Sequence, residues 1–187
     1  NDTSGTYNGT PTNITYEGGA FDQAAVFNGS SSYIDTNGNP LKTGAFSVSF
    51  WTKLNAYGTS PAFVSTANNS GSQGFEIRQN SSNNKLDFYF GAGSVFTNSN
   101  SALPLNEWMH IACTYDSTTL KIYINGVQQT STATGTLASV NNNIYIGKAY
   151  NYSRYINGSI DQLRLFNTAL TQSQVTTLAR GIATSYS

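Results

Sequence analysis

Alternation with a period of two runs through most of the chain and predicts β-strands. "FSVSFWTKL" puts Phe46, Val48, Phe50 and Leu54 on one face and Ser47, Ser49, Trp51 and Lys53 on the other. "KLDFYF" repeats this with Leu86, Phe88 and Phe90, and "LKIYING" with Leu120, Ile122 and Ile124. "WMHIACTYD" is apolar on both faces, the mark of a strand covered from both sides. Shorter strands are predicted at "AVFNG", "YIDT", "AFVSTA", "GFEIRQ", "SVFT" and "NIYIG". Turn-rich stretches such as "NNSGSQG" and "NSSNNK" separate them. Asn125-Gly126 suits a type I′ hairpin turn.

One segment reads as helix. In "TALTQSQVTTLARG", Thr171 is the expected N-cap, with Gln174 three residues on and Gly181 as the stop. Leu170, Val175, Leu178 and Ala179 form its weak apolar stripe, which suits a short helix on the edge of a sandwich. "INGSIDQLRLFN" breaks the alternation. Strict phase would place Ile160 on one side and Leu163 and Leu165 on the other, with Asp161 among them. A bulge, or burial of both faces, would reconcile the two halves. Many short strands with frequent turns predict an all-β, two-sheet antiparallel jelly-roll sandwich with one short C-terminal helix.

Composition narrows the function. The 187 residues suit one domain spanning 1–187, and the chain lacks an initiator Met, so it reads as a segment excised from a larger protein. Net charge is zero and charged residues make up 10%, with no basic patch for nucleic acid. No apolar run approaches the length needed for membrane insertion. Cys113 is alone, so no internal disulfide forms, and its strand position suits an inert buried thiol. Asn-x-Ser/Thr recurs at several positions, as chance dictates in a chain this rich in Asn, Ser and Thr.

Several segments, in order, resemble one family. "DTSGTYNGTPTN", "AAVFNGSSSYI", "FSVSFWTK", "LNEWMHIACTYDSTTLKIYINGV" and "INGSIDQLRLFNTALTQSQVTTL" resemble successive motifs of the third laminin-G family, within the concanavalin A-like lectin/glucanase superfamily. The resemblance implies the jelly roll and makes Trp51, Trp108 and His110 packing residues. Glucanases of that superfamily carry a Glu-x-Asp-x-x-Glu type of strand motif, because glycoside hydrolysis needs two carboxylates across the bond. That motif is absent and no two acids stand at i, i+2, so the chain is not expected to be an enzyme. Relatives hold a structural Ca²⁺ near the junction of the first and last strands. The resemblance therefore makes Asp161 a candidate ligand, together with Asn28, where the family's Phe-Asp-Gly reads Phe27-Asn28-Gly29. Asp2 in "DTSG" is a further oxygen donor. The alternative for Asp161 is that it accepts backbone N–H groups.

The candidate ligand site is "GKAYNYSRYING". Tyr150, Tyr152 and Tyr155 crowd a loop with Asn151 and Arg154. Aromatic rings stack on the apolar face of a sugar, and Asn and Arg bind its hydroxyls; the same tyrosines could instead cover a sheet edge. Tyr57 and Phe96 are further candidate loop aromatics. The expected role is a non-catalytic carbohydrate-binding or adhesion module for a glycan or polysaccharide, working beside neighbouring domains of a parent protein that is extracellular or on a cell or virion surface. The alternative is a structural or protein-docking jelly roll without a sugar site.

Overall fold

A computed structural model describes residues 8–41, 44–66, 73–91, 95–138, 142–150 and 152–181. In chain order the strands are β1 (Thr10–Thr12), β2 (Thr15–Gly18), β3 (Gln23–Asn28), β4 (Tyr33–Asp35), β5 (Phe46–Ala56), β6 (Ala62–Ser65) and β7 (Phe75–Gln79). There follow β8 (Lys85–Phe90), β9 (Val95–Ala102), β10 (Met109–Tyr115), β11 (Thr119–Ile124), β12 (Val127–Thr134), β13 (Tyr145–Ile146) and β14 (Asn157–Phe166), then helix α1 (Gln172–Ala179). Sheet A runs β1-β4-β13-β6-β7-β8-β9 and sheet B runs β12-β11-β10-β5-β14-β3-β2. Both are antiparallel, and together they form the jelly-roll sandwich that the alternation predicts.

The apolar positions of the two sheets meet in one core. Phe46, Val48, Phe50 and Leu54 of β5 face Phe75, Ile77, Phe88 and Phe90 of sheet A. The Phe46 and Phe75 rings lie 4.9 Å apart, and Phe90 meets Tyr115 edge-on at 4.8 Å. Tyr115 satisfies its hydroxyl on Gly135 O at 3.0 Å, as a buried phenol must. Gly147 has φ +85°, and a Cβ there would stand 2.2 Å from the Phe27 ring, so the chain turns into the core only because this residue is glycine.

The two-faced apolar pattern of β10 has a direct cause. Its inner residues Ile111 and Cys113 join the core, while Ala112, with Tyr123 of β11, packs beneath Leu170, Val175 and Leu178. Helix α1 thus lies on the outer face of sheet B, not on the edge of the sandwich, because β10 and β11 offer it a second apolar surface. Its capping box forms as predicted: Thr171 accepts from the Gln174 N–H, and the Gln174 side chain accepts from Thr171 N at 2.8 Å. Asn125 and Gly126 both have positive φ, as a type I′ turn requires.

Strand β14 contains the bulge. Asp161 pairs with Trp51 and Arg164 with Ser49, so β14 takes three steps where β5 takes two. Gln162 absorbs the extra residue at φ 51°. Ile160, Leu163 and Leu165 thereby share the core side. Asp161 falls on the outer face beside Trp51, not in the core. Strands β1 and β2 were not predicted. They are largely exposed edge strands whose apolar side chains do not alternate, so period-two patterning has nothing to register.

Candidate ligand-binding site

Among the described residues, no helix lies over the outer face of sheet A. Cross-strand registers line up Asp35, Tyr145, Ser65, Glu76, Tyr89 and Phe96 in one row, one residue from each strand from β4 to β9. Five inter-strand steps make that row about 24 Å long. Arg78, Asp87 and Asn98 form a second, shorter row beside it. These are the polar halves of strands whose other halves, such as Phe75, Ile77, Leu86 and Phe88, build the core. Three of the chain's nine acidic residues, Asp35, Glu76 and Asp87, therefore share one sheet face.

The predicted tyrosine loop folds onto this face. Ser65 is the anchor: its hydroxyl donates to Lys148 O at 2.9 Å and accepts from Tyr150 N at 3.0 Å. The loop closes with Ile156 N donating to Gly147 O at 2.9 Å and a bridge between Lys148 and Tyr155. Arg154 reaches down to Glu76 at 3.1 Å, and its guanidinium lies 4.5 Å from the centroid of the Tyr152 ring. Lys148 holds its ammonium over Tyr33 at 3.9 Å and over Tyr145 at 4.5 Å, and Tyr150 packs on Tyr145 at 5.3 Å.

Glu76 and Asp87 are linked through Arg78. Its Nη1 donates to Glu76 at 3.3 Å, and its Nε stands 3.5 Å from Asp87 Oδ2 without hydrogen-bond geometry. Arg78 also stacks on Tyr89 at 4.4 Å. Asp87 is 1% exposed, and burial raises its pKa against the lowering effect of an Asn80 hydrogen bond at 2.9 Å and of Arg78. Burial, reinforced by Asp35, pushes the Tyr145 hydroxyl up to about 12, so it stays protonated. Asp87 Oδ1, Arg78 Nε and Arg154 Nε are all buried without a hydrogen-bond partner. Buried polar atoms are normally paired, so three unpaired ones in a single patch mark it out.

The structure brings Tyr150, Tyr152 and Arg154 together over sheet A. Tyr155 sits in the base of the loop, and Asn151 lies outside the described residues. Tyr57 is elsewhere, donating its hydroxyl to Leu103 O at 2.6 Å. Phe96 belongs to a strand, not a loop, and extends the long row next to Tyr89. Sequence reasoning missed Tyr33, Glu76, Arg78, Asp87, Tyr89, Tyr145 and Lys148. The available signal was the polar half of "FEIRQ" and "KLDFYF": strong charges at alternate positions in a chain with few charges.

The two candidate calcium ligands do not converge. Asn28 pairs with Asn157, and Asp161 lies four residues further along β14, on the order of 13 Å away. The Asn28 side-chain oxygen already accepts from Ser30 N, Ser31 N and Ser32 N at 2.9–3.2 Å. Asp161 accepts from Phe21 N at 3.0 Å, and a Cβ on Gly19 would strike its Oδ2 at 2.5 Å. The backbone-amide alternative for Asp161 is thus the arrangement seen, and the pair does not fit one shared metal. No group of three or more His, Cys, Asp or Glu able to hold a metal exists among the described residues. Asp2 lies outside them.

With this geometry in place, the likenesses to known proteins take on meaning. Residues 28–176 match the third laminin-G family, described as the concanavalin A-like lectin/glucanases superfamily. The chain belongs to that family. No curated protein sequence matches it. Among solved structures, it is similar to domain 4 of AbnA, a GH43 extracellular arabinanase from Geobacillus stearothermophilus, in complex with arabinotriose. That likeness has 26% identity and a TM-score of 0.81, covering 95% of this chain and 91% of that one. The binding domain of Paraclostridial Mosquitocidal Protein 1 shares the fold at 19% identity and TM-score 0.77, over 96% of this chain and 49% of that one. The receptor binding domain of botulinum neurotoxin D does so at 18% and 0.71, with the same two coverages. The chain spans about half the length of these toxin domains. No helix among the described residues is long and apolar enough to cross a membrane.

Proposed function

We propose that this domain is a non-catalytic carbohydrate-binding module of a larger extracellular protein, and that it holds a polysaccharide along the outer face of sheet A. The observation that carries the reading is the long row from Asp35 to Phe96 beside the Tyr150–Tyr152–Arg154 loop, which leaves the Tyr152 and Phe96 rings exposed. Exposed rings such as those of Tyr152 and Phe96 suit sugar faces. The arabinotriose held by the arabinanase domain makes a short pentose or hexose oligomer the first ligand to try.

Catalysis by Glu76 and Asp87 is disfavoured by their surroundings. Both are at most 3% exposed, and both are engaged by Arg78. Glycoside hydrolysis needs one carboxyl free to give a proton and another free to reach the sugar or a water. Reducing-sugar release from arabinan, xylan and glucan should stay at background.

Tyr152 is 41% exposed, so its ring can be removed with little effect on folding. In isothermal titration against arabino-oligosaccharides, and on a glycan array, Tyr152→Ala should weaken binding about tenfold, as expected of an aromatic anchor. A blank across plant, algal and bacterial glycans, or unchanged binding in the variant, would turn the reading to a structural or protein-docking jelly roll.

A further inference from the structure

The opposite side of the sandwich carries a separate cavity of about 210 Å³ on the outer face of sheet B. The register builds its floor. His110 stands opposite Trp51, and Trp51 opposite Asp161; Ser49 stands between Ala112 and Arg164. The bulge in β14 is what puts Arg164 on this face. Helix α1 covers the neighbouring apolar surface up to Leu178 and then ends. Beyond it the floor turns polar, with Ser49 Oγ 2.8 Å from His110 Nε2 and His110 Nδ1 buried without a partner. Phe21 closes the far side. Its ring meets Trp51 edge-on at 5.4 Å, and a Cβ on Gly181 would strike it at 2.0 Å.

We propose that this cavity binds a small organic carboxylate with a flat apolar body, the carboxylate on Arg164 and the body against Phe21 and Trp51. Arg164 carries the formal charge of the lining. It donates one Nη2 hydrogen to Gln162 at 3.0 Å, and no ion pair holds it among the described residues. Asp161, its neighbour along β14, is turned to Phe21 N. A planar guanidinium matches a carboxylate through paired N–H groups. His110 adds no competing charge at neutral pH: burial, and secondarily Arg164, lower its pKa to about 4. The volume equals about seven waters, the size of a benzoate-like acid. This ligand class differs from that of the sheet A face and stands independently of it.

The test is a heteronuclear NMR titration of the whole chain with benzoate and with its uncharged analogue benzyl alcohol, reading the Trp51 indole N–H against that of Trp108. Benzoate should shift the Trp51 signal saturably and leave Trp108 in place, and benzyl alcohol should bind about tenfold more weakly. Arg164→Gln should remove that preference, and Tyr152→Ala should leave it intact. Arg164→Lys, which keeps the charge and fold but lacks the fork, should retain only part of it. Equal affinity for the two probes, no saturable shift, or full preference in Arg164→Lys would overturn the proposal.

Discussion

The two outer faces of this sandwich are built from the same alternating strands and end in opposite chemistry. On sheet B the outward residues of β10 and β11 include Ala112 and Tyr123, and α1 buries these two under a second apolar layer. On sheet A the outward residues of β7 and β8 include Glu76, Arg78, Asp87 and Tyr89; Arg78 stacks on Tyr89, and the loop's Arg154 reaches Glu76. A helix stabilises the first face through apolar burial, which needs no precise partner. The second face is held by charges that are nearly dry yet incompletely paired. That arrangement contributes little net stability, since desolvation offsets the Coulombic attraction. A surface that costs much and stabilises little is where binding is best sought.

Breaking each face should separate these roles. Val175 is fully buried under the helix, so Val175→Asp places a lone charge in an apolar layer. A loss of about 4 kcal/mol or more is expected in urea unfolding. Glu76→Ala leaves the guanidiniums of Arg78 and Arg154 without their shared carboxylate and should cost about 3 kcal/mol. A double variant at Glu76 and Arg154 should recover part of that loss, because both ends of one interaction are removed together. A double variant that loses as much as the two single variants added together would mean that the Arg154–Glu76 contact carries no coupling.

The faces should also differ with pH. His110, on the outer face of sheet B, is 1% exposed, and its pKa is lowered to about 4, chiefly by burial. Between its ordinary value and that one, the unfolded chain binds the proton and the folded chain does not. Stability therefore falls as pH drops from about 6.5 to about 4, by roughly 3 kcal/mol. Asp87 on sheet A works in the opposite sense. Its pKa is raised by burial, so protonation on acidification relieves a desolvation penalty. His110→Gln should flatten the acid limb of the stability curve, whereas Asp87→Asn should steepen it. Denaturant midpoints taken across that pH range decide the matter.

How much of this the chain reveals differs by region. The alternation in "FSVSFWTKL" and "KLDFYF" locates the core strands, because one face buried and one exposed is written directly into period two. The helix is equally legible, since capping chemistry is local. Its seat is not: whether α1 lies on an edge or a face depends on which strands end up adjacent, and β10 meets β5 across some sixty residues of chain. The ligand surface is half legible for the same reason. Tyr150, Tyr152 and Arg154 are contiguous and announce a loop. Glu76 and Asp87 are eleven positions apart, and only the β7–β8 register makes them neighbours. Spacing along one strand, at i and i+2, therefore fails to find a carboxylate pair that the sheet assembles from two.

The smallest expected effect concerns calcium, and it follows from how Asp161 and Asn28 are occupied. A calcium site needs six to eight oxygens with free lone pairs. The Asn28 oxygen takes three backbone N–H groups and the Ser30 hydroxyl, which leaves it no room for a cation. Asp161 takes the Phe21 amide and is walled in by Gly19, so its carboxylate ties the β2–β3 loop to the last strand. A melting curve in EDTA and then in excess Ca²⁺ should differ by less than about 1 °C, because a ligand bound well above its dissociation constant would shift stability by kcal/mol. Asp161→Asn keeps an acceptor for Phe21 N and should lower the melting temperature only slightly, whereas Asp161→Ala, which frees the loop, should lower it further. A calcium-dependent rise that disappears in Asp161→Asn would place a metal at the junction after all. It would also mean that the Phe21 loop must open to admit it.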